Sequence, residues 1–179
     1  MSSKAKKRIR TFVCTLLVII GIYIVWSPLS LTKISDRSNP YAPDKNLKSE
    51  IKEETAEMTA EEIRSYSVKK TAKLLSFTIK NDLSKGEANC IGYAQMCASI
   101  SNYAFKVNGI KASAKPVVGY VMFYGINLCD VLKWCIPNKR WENFVKDHDF
   151  VEYHIDEETI YCDASAYDLI YKDCKTTMK

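Results

Sequence analysis

The strongest constraint on this chain is a helix whose two ends are both written in the sequence, between Asn89 and Asn108. Lys85-Gly86 breaks whatever precedes it. Asn89 is a good N-cap, because its side-chain oxygen can accept from the unpaired backbone N–H groups of the first turn. Tyr93, Cys97, Ile100, Ala104 and Val107 then recur at alternating spacings of four and three, the stripe of a buried helical face. Asn108-Gly109 supplies the stop. Cys90 therefore falls in the first turn, where the free N–H groups and the helix dipole favour negative charge. A thiol placed there has its nucleophilic thiolate form stabilised.

The rest of the chain divides around that helix. Residues 1–10 are basic, holding Lys4, Lys6, Lys7, Arg8 and Arg10. These account for the net charge of +5 and leave the remainder near neutral. A nucleic-acid-binding surface, which needs clustered basic residues interleaved with aromatics, is not indicated. Phe12 to Trp26 carries no charge and, extended to Leu31, reaches the length of a membrane span. Residues 11–31 therefore read as a single transmembrane anchor with a cytoplasmic N-terminus and an extracytoplasmic domain. Residues 32–58, with Pro40 and Pro43 and no apolar periodicity, read as a linker or stalk. The domain proper is expected over residues 59–179.

Within it, Thr59-Ala60-Glu61-Glu62 is a capping box opening a helix expected to run to about Lys80. Lys115 to Tyr124 has the β-branched and aromatic bias of a strand, with Pro116 near its start. Gly125 to Lys146 reads as an irregular excursion with about one helical turn. His148 to Ile155 alternates, with His148, Phe150, Glu152 and His154 on one face, and Thr159 to Asp163 follows a turn at Asp156-Glu157-Glu158. Folding this hairpin brings Asp163 opposite or nearly opposite His148. The chain has two histidines. His154 lies near the acidic hairpin tip and is expected in solvent, so His148 is the candidate partner for a nucleophilic Cys90, oriented by Asp163. With the domain outside the cytoplasm, Cys129–Cys135 and Cys162–Cys174 are candidate disulfides.

Asn89-Cys90-Ile91-Gly92-Tyr93-Ala94, Gly109-Ile110-Lys111-Ala112, Val118-Gly119-Tyr120-Val121, His148-Asp149-Phe150-Val151-Glu152-Tyr153 and Tyr161-Cys162-Asp163-Ala164-Ser165 follow one another in the order and at the spacing of the transglutaminase-like superfamily. Over about residues 60–170 the chain resembles that family, as a membrane-anchored, bacterial-type member. Ala88 and Phe150 depart from it, standing where the family often has glycine and tryptophan. The resemblance implies an α+β, papain-like/transglutaminase-like core with the nucleophile helix packed on an antiparallel sheet. It also implies a Cys-His-Asp triad, which falls on Cys90, His148 and Asp163. The expected chemistry is cysteine-dependent hydrolysis of, or acyl transfer from, a peptide or protein amide through a thioester, hydrolysis being preferred. No cofactor or metal is expected. The competing expectation is a membrane-tethered binding module of the same fold with an idle triad.

Overall fold

The computed structural model describes residue 15 and residues 29–123, 125–135, 147–170 and 176–178 of the chain. It is α+β, built from a curled, antiparallel main sheet with helices against one face. The main sheet runs in the order β1 (Leu29–Asp36), β4 (Ala112–Phe123), β6 (His148–Ile155), β7 (Glu158–Cys162) and β8 (Thr176–Met178). A short β5 (Ile126–Asn127) folds back on the end of β4. The curl brings β1 and β8 close to one another.

Helix α3 (Cys90–Val107) is the axis of the domain and ends where its caps require. Asn89 accepts from Ile91 and Gly92, Asn108 is the C-cap, and Gly109 takes the left-handed conformation (φ 68°) that terminates the helix. One side of α3 packs on β4 and β6. Helices α1 (Lys45–Glu54), α2 (Ala60–Leu74) and α5 (Ala164–Ile170) pack around its other sides. Tyr93, Cys97, Ile100, Ala104 and Phe105 are fully or almost fully buried there, with Val151 and Tyr153 from β6. The opposite face of the sheet buries Leu31, Val117, Phe150 and Tyr161. Successive residues of β6 thus enter two different cores.

Thr59 and Glu62 form the reciprocal capping box that opens α2. The helix stops at Leu74 and not near Lys80. Leu75 is already extended, because the backbones of Ser76 and Thr78 bond instead to the carbonyls of Gly86 and Ala88. This makes a parallel pair, β2 (Ser76–Phe77) and β3 (Glu87–Ala88), that leads directly into α3. The excursion after β4 is more regular than expected, since β5 is followed by the two-turn helix α4 (Leu128–Cys135). Residues 136–146 lie outside the described residues.

The stretch 32–58 is not a bare linker. Its first residues continue β1, which pairs with β4 along Leu29–Asp36 and buries Leu31. Farther on, Asp44 caps α1, whose Ile51 is fully buried in the main core. The anchor expected over residues 11–31 must likewise give up 29–31 to β1. Apart from Thr15, the remainder of that stretch lies outside the described residues. No helix among the described residues is long and apolar enough to cross a membrane. Of the candidate disulfide partners, Cys129 and Cys162 are buried, while Cys174 and the side chain of Cys135 lie outside the described residues.

Candidate active site

The first turn of α3 is pinned before any chemistry is considered. Asn89 Oδ1 takes the N–H groups of Ile91 (3.1 Å) and Gly92 (3.4 Å), leaving that of Cys90 unused among the described residues. Gly92 admits no side chain, because a Cβ there would stand 2.0 Å from Asn81 Oδ1 and 2.8 Å from the Ala88 methyl. The segment before the helix therefore lies flat against its first turn. The Cys90 side chain is half-buried.

The hairpin supplies the other two residues. Pairing of Val151 with Cys162 places position 163, one step farther on, across from Phe150, on the same face as His148 and two residues from it. The strand ends at Cys162, and Asp163 turns into α5. One of its oxygens, Oδ1, accepts from Ser165 N (3.0 Å), Ser165 Oγ (2.7 Å) and Ala166 N (3.0 Å), capping that helix. The other, Oδ2, meets His148 Nε2 at 2.6 Å. Asp163 is thus both a cap residue and the partner of the histidine. Tyr93 on α3 donates to Asp168 Oδ2 at 2.6 Å, tying the helix that Asp163 caps to the helix that carries Cys90.

The Cys90 thiol lies close enough to the His148 ring to act on its ionisation. Burial works to neutralise the imidazole, but the Asp163 carboxylate and the Cys90 sulfur outweigh it and hold its pKa well above the ordinary value. Burial likewise works against ionisation of Asp163, and here the imidazolium and the cap hydrogen bonds prevail, leaving its carboxyl below the usual range. Since Asp163 occupies Nε2, Nδ1 is the ring nitrogen left for the thiol. Cys90, His148 and Asp163, the three residues expected from sequence, are brought together.

His154 is exposed and apart from this cluster, hydrogen-bonded to Glu152 Oε1 at 3.0 Å. Two residues absent from the sequence reading do reach the site. Asp149 is buried, with Oδ2 4.0 Å from Cys90 Sγ, and Arg37 grips it through Nε (2.5 Å) and Nη2 (3.0 Å). A signal for Asp149 was available: it is the one charged residue on the face of β6 that otherwise carries Val151, Tyr153 and Ile155. No comparable signal marks Arg37, which follows β1 in what reads as polar linker. No group of three or more His, Cys, Asp and Glu side chains arranged to hold a metal ion occurs among the described residues.

No family model, curated protein or solved structure matches the chain.

Proposed function

We propose that this domain is a transglutaminase-like cysteine enzyme that cleaves a peptide or protein amide through a thioester on Cys90. The observation that carries the proposal is the meeting of Cys90, at the start of a buried helix, with the hydrogen-bonded His148–Asp163 pair from a distant hairpin. His148 accepts the thiol proton at Nδ1 while Asp163 orients and stabilises the imidazolium. The thiolate adds to the amide carbon, forming the C–S bond, and the oxygen takes the negative charge beside the backbone N–H of Cys90. Collapse breaks the C–N bond as the His148 proton passes to the departing amine. Water then attacks the thioester, gives a proton back to His148 and releases the acid and the thiol. An amine in place of water would give acyl transfer. Hydrolysis is the preferred outcome, because the sequence holds no recognisable motif for a second substrate.

The proposal includes tethering by residues 11–28, the part of the apolar stretch that precedes β1, with the domain outside the cytoplasm. That segment is near the lower limit of roughly 17 residues for a span.

The test is alkylation of full-length protein by iodoacetamide across pH, read on the Cys90 peptide by mass spectrometry, beside amide cleavage on a peptide panel. Fast labelling of Cys90 below neutral pH that slows in His148→Ala, with cleavage lost in Cys90→Ala, is expected. Labelling only above about pH 8, as for an ordinary thiol, would overturn the enzyme reading in favour of a tethered binding module. Asp163→Asn, which keeps a cap oxygen, should shift the labelling profile and lose the stability that the His148–Asp163 charge pair supplies. Asp163→Ala should also lose about 1 kcal/mol with the cap.

A further inference from the structure

The site holds a second carboxylate that the mechanism above does not use. Asp149 follows His148 in β6, so its side chain leaves the strand on the other face, toward α3. Its side chain is 1% exposed, and its Oδ2 faces both Arg37 Nη2, at 3.0 Å, and Cys90 Sγ, at 4.0 Å. Arg37 spends Nε and Nη2 on this carboxylate and is itself only partly covered. It is held in place by its own backbone N–H, which donates to the Pro116 carbonyl just beyond the β1–β4 ladder. A structural salt bridge alone has no need to touch the nucleophile. This one does.

Resting on the reading of Cys90 as nucleophile, we infer that Asp149 opposes ionisation of the thiol and that Arg37 is the positioning residue that cancels this opposition. Asp149 offers the resting S–H an acceptor and, as an anion, disfavours a thiolate beside it. The guanidinium neutralises that charge and fixes the carboxylate, so that the proton passes to His148. Charge at the sulfur is then set by a small group. Among the described residues, His148 and Asp149 come from β6 and Arg37 from beyond β1, Asp163 acts through His148, and Asp147, just before β6, acts on Arg37 and Asp149. The first turn of α3 adds no acidic residue.

The experiment follows the pH midpoint of Cys90 alkylation in full-length wild type, Asp149→Asn, Arg37→Gln and the double variant. Asp149→Asn should lower the midpoint by about one pH unit, a tenfold gain in thiolate at a fixed pH below it. Arg37→Gln should raise the midpoint by a similar amount, and the double variant, with no carboxylate left to cancel, should stay at the Asp149→Asn value. Opposite shifts support the inference, since a loosened structure would move both single variants the same way. Shifts in one direction, or none, overturn it. If Arg37→Gln does not fold, Asp149→Asn and the double variant decide: both must lie below wild type and coincide, and a double variant well above Asp149→Asn, showing that Arg37 acts without Asp149, overturns the inference. The effect of His148→Ala is a separate arm. Its absence would defeat the nucleophile reading, while its presence with unmoved Asp149 and Arg37 variants would defeat only this inference.

Discussion

Strand β6 carries two buried carboxylates that meet opposite fates. Asp149, on the face toward α3, has a 1% exposed side chain and, among the described residues, one hydrogen-bonded basic partner, Arg37. Glu152, on the other face, has a 4% exposed side chain, with Lys33 bound to both of its oxygens (3.1 and 3.0 Å) and Lys115 to Oε1 at 3.0 Å. Burial pushes the Asp149 carboxyl up, and Arg37 does not fully counter it, while Asp147 adds to the rise. Burial also acts on Glu152, but the hydrogen bonds and charges of Lys115 and Lys33 prevail and hold its carboxyl down. Burial acts at both sites; two hydrogen-bonded lysines outweigh it at Glu152, while at Asp149 one hydrogen-bonded cation, Arg37, and the His148 charge do not, with Asp147 opposing them. The well-compensated group lies away from the thiol and stabilises the sheet. The under-compensated one touches the sulfur.

The sharpest way to break this contrast is Arg37→Ala. It strands Asp149 without a counter-charge and should cost about 3 kcal/mol at pH 7, measured by urea unfolding. The loss should shrink at acid pH as Asp149 takes up a proton, and a loss of equal size at every pH would contradict the comparison. Gly119→Ala comes next, at about 2 kcal/mol. Gly119 lies across from His148 in the β4–β6 ladder, and a Cβ there would stand 2.0 Å from the Thr32 carbonyl oxygen. Strand β1 must then move, and with it both Lys33 and the chain leading to Arg37. Thermal unfolding and Cys90 labelling should therefore change together. Glu152→Gln should cost less, about 1 kcal/mol, because Lys33 and Lys115 are partly exposed and retain Asp36 beside them.

The smallest expected effects are the pH slopes, which have opposite signs. The folded-state pKa of Asp149 lies above its unfolded value of about 3.9, so the native state holds the extra proton. Stability then falls as pH rises from there through the folded value. Glu152 titrates below its unfolded value of about 4.3. Its stabilisation is present above that pH and is lost as pH falls through the folded value. Unfolding free energies of Asp149→Asn and Glu152→Gln, measured from pH 3 to 8, should each remove one of these slopes. Slopes of the same sign would show that the hydrogen-bonded cations do not separate the two sites.

Much of the frame was legible because its signals are local. The caps of α3, the Thr59–Glu62 capping box and the alternation of β6 each rest on residues a few positions apart, and all are present. The hairpin placed Asp163 near His148 without fixing the register, and the observed pairing brings it within reach along a diagonal. The α2 terminus was misjudged because Ser76 and Thr78 find backbone partners ten residues on, in Gly86 and Ala88, and these replace the helical hydrogen bonds that the apolar pattern implied. Residues 29–36 carry the pattern of anchor and linker because the residues that complete strand β1 lie on other strands. Lys33 finds Glu152 119 positions away, and Arg37 finds Asp149 112 positions away.

By itself, then, the sequence determined where the helix carrying Cys90 begins and ends, which strand carries His148 and that Asp163 lies near it. Capping hydrogen bonds and side-chain periodicity act within a turn or two of the chain and leave a local pattern. The tertiary structure alone decided that the segment after the apolar stretch becomes the edge of the sheet. It also decided that Arg37 meets Asp149 beside the thiol. A buried charge is tolerated only when a counter-charge arrives from elsewhere in the fold, and its position is set by strand order and register.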